Sequence, residues 1–157
     1  MCRFPDMQAL RAHEGEVLAS LDAALDCLNR GPSVLLSRFD ELRNRVGASL
    51  QAYQQLLHSG LFERACQSGD AQLRTLAQHM KAASVSAALL FDNHVSQWDQ
   101  SRIVMAWSHY EPSVRQAIGT LRAQISDEVQ PRAELVAHAL VTSRLLNPLD
   151  LESGHEQ

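Results

Sequence analysis

Residues 71–98, AQLRTLAQHMKAASVSAALLFDNHVSQW, decide the fold. Leu73, Leu76, Met80, Ala83, Ala87, Leu90, His94 and Trp98 recur in steps of three and four. That spacing lays an apolar stripe along one side of a helix. At 1.5 Å per residue the rod is about 40 Å long. A helix so long with one dry side needs partners of similar length. Just ahead of it, Ser68-Gly69-Asp70 reads as a turn, with Asp70 placed to cap the first free amides.

The partners lie on both sides. Upstream, Leu10, His13, Val17, Leu21, Ala24 and Leu28 form a stripe over residues 6–29. Gly31-Pro32 ends it, because glycine accepts the left-handed cap and proline cannot continue the helix. Ser33 then reads as the cap of a second helix with the stripe Leu36, Phe39, Leu42, Val46, Leu50, Tyr53 and Leu57. Gly47 interrupts it at a cost of about 1 kcal/mol against alanine, which marks close helix packing. Ser59-Gly60 is expected to end this helix, and residues 61–65 to form a short helical connector.

Downstream, a fourth helical region starts near Ser101 and meets Pro112, read as a kink or as the start of a new helix. Beyond it Val114, Ile118, Leu121, Ile125 and Glu128 share one face. Pro131 is expected to break or bend the chain, leaving residues 132–146 as a last amphipathic helix with Leu135, Val136, Leu140 and Leu145. The expected fold class is therefore all-α: an up-down-up-down four-helix bundle with an additional C-terminal helix. Residues 1–146 form one domain in this reading, and residues 147–157 a polar tail.

Composition narrows the function classes. The net charge is −4, Lys81 is the sole lysine, and no run of basic residues exists, so no nucleic-acid partner is expected. No apolar run approaches a membrane span, and residues 1–11 lack the apolar core of a secretion signal. Three scattered cysteines without metal spacing fit reduced thiols in a cytoplasm, with Cys27 filling core space beside Leu25 and Leu28. No nucleophile elbow, phosphate loop or HExxH is present, so no enzyme is expected.

The polar residues interrupting the stripes carry what chemistry there is. In an antiparallel bundle His13, Tyr53, His58, His79 and Glu128 fall at one end. Imidazole and carboxylate suit iron, zinc or manganese, which makes His13, His79 and Glu128 a candidate metal set. As plain structure, the same residues are partly wet side chains at helix ends. The opposite end gathers His94, Trp98, Trp107, His109 and Tyr110. This is either a pocket for a planar ligand or a packed aromatic corner.

Several segments together resemble bacterial hemerythrin-like (HHE-type) proteins over residues 10–139. Leu10-Arg11-Ala12-His13 looks like that family's first helix, whose histidine binds metal. Leu61-Phe62 followed by Ser68-Gly69-Asp70 is similar to its connector. Residues 103–107 with Tyr110, then residues 121–128, look like its fourth helix. The family's second helix carries HxxxE just before the connector, and Tyr53 and Leu57 stand there in this chain. Gln124 and Glu128 stand where the fourth helix keeps a histidine and a carboxylate, and His79 is followed four residues later by Ala83. The resemblance thus implies a bundle whose oxygen-binding di-iron centre is lost, with His13, His79 and Glu128 as its remnant ligands for iron or another divalent metal. It implies a regulatory or binding protein acting on an unidentified protein partner or small ligand, as a monomer or homodimer. Two rivals stand beside it: a helical adaptor or secretion chaperone gripping an amphipathic segment, and a metal-dependent sensor using the reduced ligand set.

Overall fold

The structure is a computed structural model and describes residues 7–146, with side chains described as far as Thr142. In chain order it contains α1 (Met7–Asn29), α2 (Pro32–Ser37), α3 (Phe39–Leu57), a π-helical turn π1 (His58–Phe62), α4 (Glu63–Gln67), α5 (Ala71–Gln97), α6 (Gln100–Met105), α7 (Trp107–Ala123), a second π-helical turn π2 (Gln124–Val129) and α8 (Gln130–Leu146). The protein is all-helical, with no strand among the described residues. The tail expected at residues 147–157 lies outside the described residues.

The turns form where local chemistry asks for them. Gly31 sits at φ 107° and Gly69 at φ 77°, both in the region that side chains with a Cβ avoid. Pro32 follows as the first residue of α2. Asp70 caps α5: its Oδ1 accepts from the amides of Gln72 at 2.9 Å and Leu73 at 3.2 Å. Asp99 does the same for α6, accepting from the Arg102 amide at 2.7 Å.

Elsewhere the helices run differently from the sequence expectation. The second helix does not start at Ser33 and run on. It is interrupted at Arg38, and Leu35 rather than Leu36 is buried beside Phe39. Gly60 does not end α3. The chain stays helical from Phe39 to Gln67 by passing through π1, whose wider turn absorbs the glycine. Pro112 lies inside α7, and Pro131 does not separate a C-terminal helix, because residues 107–146 are helical throughout. The ring of Pro131 would press on the carbonyl four residues back in a regular α-helix. π2 lies immediately before it and opens the turn.

α1 packs against α3, α7 and α8, while α5 packs against α3, α7, π2 and α8. The core joins Leu10, Val17 and Leu21 of α1 to Val46, Leu50 and Leu57 of α3, Met80 and Ala87 of α5, and Ile118, Leu121 and Ile125 of the last rod. Burying each large aliphatic side chain stabilises the fold by roughly 1.5–3 kcal/mol, and these contacts hold the rods together. Cys27 is in this core, 1% exposed.

Candidate functional site

Two places in the bundle combine polar groups with shape. The first is the end where metal ligands were expected. Tyr53 is fully buried, and its hydroxyl donates to the Gln130 side-chain oxygen across the bundle. Gln130 is itself buried, and its Nε2 has no partner. Glu14 and Glu134 stand near enough that their charges act on the Tyr53 phenol. Burial chiefly, and both carboxylates, push that phenol above its usual range. Burial raises the Glu14 carboxyl too, helped by Glu134 and opposed by Arg11. Arg11 in turn pairs with Glu134 at 3.0 Å.

The expected metal residues are spread around this cluster. His13 is half-buried on α1, and His79 is exposed on α5. Glu128 is not on the buried face of the last rod: it is exposed and pairs with Arg132 at 2.6 Å. The buried stripe steps from Ile125 to Val129 and Ala133 instead. The π turn supplies the reason, since its hydrogen bonds close over five residues and carry the stripe past position 128. His79 and Glu128 do border one open depression of about 660 Å³, together with Gln124 and Asp127. His13 is not part of its lining. Among the described residues no group of three or more His, Cys, Asp and Glu side chains is placed to hold a metal ion, so His13, His79 and Glu128 are not brought together as a donor set. A di-iron group does not fit the residues where the resemblance would put one, since Tyr53 and Leu57 occupy that part of the core.

The second place is at the other end. A cavity of about 80 Å³ opens between α1, α3, α5 and α7. Its wall is apolar, with Leu42, Val46, Phe91, Val114 and Ile118 among the lining residues. Three polar side chains reach it: Arg43, His94 and Tyr110. Arg43 lies over the Phe39 ring at 4.2 Å and donates through Nη2 to the Trp98 carbonyl. It has no carboxylate within ion-pair distance among the described residues. Burial pulls its guanidinium below the usual range, against the field of Tyr110, Asp40 and Asp99.

Tyr110 is the hub of the aromatic group. Its ring centroid is 5.2 Å from Trp98 in an edge-on arrangement, 5.8 Å from Trp107 and 6.1 Å from His94. Burial pushes its phenol up, and Arg43 pulls it back. Burial and the adjacent Arg43 both lower His94, so its imidazole is neutral near pH 7. His109, in contrast, is exposed. Of the five residues expected at this end, only His94 and Tyr110 line the cavity, while Trp98 and Trp107 pack on Tyr110. The indoles form the corner, and Tyr110 and His94 face the cavity.

Arg43 was not singled out in the sequence. It sits four residues after Phe39 and beside Leu42, so a cation on the shoulder of an apolar stripe was the available signal. Gln130 and Glu134 gave less warning, because the phase beyond π2 is not readable from spacing, and Glu14 lies beside the α1 stripe rather than on it. The adaptor reading relied on an uncovered apolar face along the last helix. Of the residues expected on it, Val136 and Leu140 are buried beside Ala133 and Ala137, Leu135 is 56% exposed, and the Leu145 side chain lies outside the described residues. No helix among the described residues is long and apolar enough to cross a membrane.

No family model, no curated protein and no solved structure matches this chain.

Proposed function

We propose that this protein is a non-enzymatic binding protein that holds a small apolar ligand in the cavity beneath Arg43, His94 and Tyr110. In this reading it is a divergent hemerythrin-like bundle of up-down-up-down form, and core packing stands where that family keeps its metal. It acts as a regulatory protein in the cytoplasm, without nucleic acid or membrane, as a monomer or homodimer. The unpaired thiols of Cys27 and Cys66 suit that compartment.

One observation carries the reading: an apolar cavity whose few polar groups converge at one place. Ligand sites are built this way, with apolar walls for affinity and a small number of polar groups for orientation. Groups displaced from their ordinary pKa gather at such sites, as Arg43, His94 and Tyr110 do here. Resemblance supports the bundle topology. The Tyr53–Gln130 hydrogen bond supports the replacement of a metal centre by packing.

The test is calorimetric titration with 1-pentanol, a neutral apolar probe, of the wild type and of Ala117→Leu. Ala117 lines the cavity, and a larger side chain there fills it. Saturable binding by the wild type and its loss in the variant are expected. No binding by the wild type, or equal binding by both proteins, would contradict the proposal.

A further inference from the structure

We infer that the polar end of this cavity takes the carboxylate of a small apolar monocarboxylic acid, with Arg43 and Tyr110 as its hydrogen-bond donors. The inference rests on the binding function proposed above and names the ligand's chemical class.

The unfilled groups carry it. Arg43 spends Nη2 on the Trp98 carbonyl, and its remaining N–H groups have no protein acceptor among the described residues. The Tyr110 hydroxyl makes no hydrogen bond to protein among the described residues either. His94 lines the same cavity, also without a hydrogen-bond partner. A guanidinium at the edge of an apolar cavity, with N–H groups not spent on protein, is placed to receive an anion. Its planar fork matches a carboxylate better than any neutral head group.

Charge and size narrow the ligand further. Asp40 and Asp99 act on Arg43 only through their fields, and both are exposed. The cavity volume of about 80 Å³ limits the body of the acid. A dry cavity of ~150 Å³ admits benzene, so an alkyl body of roughly three to four carbons, as in pentanoate, fits here.

The experiment compares pentanoate, 1-pentanol and pentylammonium by calorimetry at fixed ionic strength, on the wild type, Arg43→Gln and Tyr110→Phe. A charge-assisted contact should make pentanoate bind about tenfold or more tighter than pentanol. Both substitutions should remove the advantage of pentanoate over pentanol, read as the ratio of the two affinities in each protein. If Arg43→Gln fails to fold after losing its bond to the Trp98 carbonyl, Tyr110→Phe, which deletes one oxygen, decides the matter. Equal binding of acid and alcohol, or preference for the amine, overturns the carboxylate inference and leaves the binding function standing. Absence of binding by all three probes overturns the binding function itself.

Discussion

The Tyr53 hydroxyl donates to the side-chain oxygen of Gln130, joining α3 to the first turn of α8 inside the core. Neither residue reaches solvent appreciably. The bond therefore acts as a unit: removing one partner strands the other, and removing both does not. Tyr53→Phe is expected to lower stability by about 1–3 kcal/mol by orphaning the Gln130 oxygen. Tyr53→Phe combined with Gln130→Leu should recover most of that loss, since Gln130 Nε2 already lacks a partner. Urea denaturation of the two single variants and the double variant measures the coupling, and strictly additive losses would contradict it.

Glu14 burdens the fold at neutral pH. Its folded carboxyl is raised above 4.5 by burial and by Glu134, against the pull of Arg11. A raised carboxyl contributes stability below the unfolded pKa and loses it as pH rises through the folded value. Glu14→Gln should therefore melt above the wild type at pH 7, and the gap should close below about pH 4.5. Melting curves across that range check the sign.

His94 works in the opposite sense. Its folded pKa is depressed below 6.5 by burial and Arg43. The unfolded chain takes up the proton first, so stability falls as pH drops from about 6.5 through the folded value. The difference in melting temperature between wild type and His94→Gln should change over that window and be flat above pH 7. Parallel curves through the window would show that the imidazole is not buried as described.

Gly47 has room for a methyl group. A Cβ there would meet the Phe91 ring at 3.5 Å, an ordinary contact distance. Gly47→Ala should stabilise α3 by about 0.5–1 kcal/mol through helix propensity. Chemical denaturation gives the value. A loss of stability would mean that the Phe91 ring, part of the cavity wall, cannot accommodate the methyl.

Local signals made much of the fold legible. Gly31-Pro32 and the Asp70 cap act through neighbouring residues and stand in the structure as read, while in the α5 stripe Leu73, Met80 and Ala87 are buried as expected, with Ala77 and Ser84 buried in addition. Tyr53 was legible as an interior residue because its stripe continues unbroken from Val46 through Leu50. The interruption at Arg38 and the two π turns were not. A π turn changes the phase by a fraction of a turn without any residue that announces it, which is why Glu128 was assigned to the face that Val129 occupies. The polar end of the cavity was half legible. The aromatic corner showed as His94, Trp98, Trp107 and Tyr110 in sequence, while Arg43 comes from a helix more than fifty residues earlier and meets Trp98 only through the packing of α3.

The most direct measurement is a methyl-labelled NMR titration of the whole protein with pentanoate. The expected result is saturable shifts confined to Leu42, Val46, Val114, Ile118 and Leu121, all in the cavity wall. Shifts centred on residues beside His79 and Glu128, or no saturable shift anywhere, would contradict the assignment of the ligand to the Arg43–Tyr110 end of the bundle.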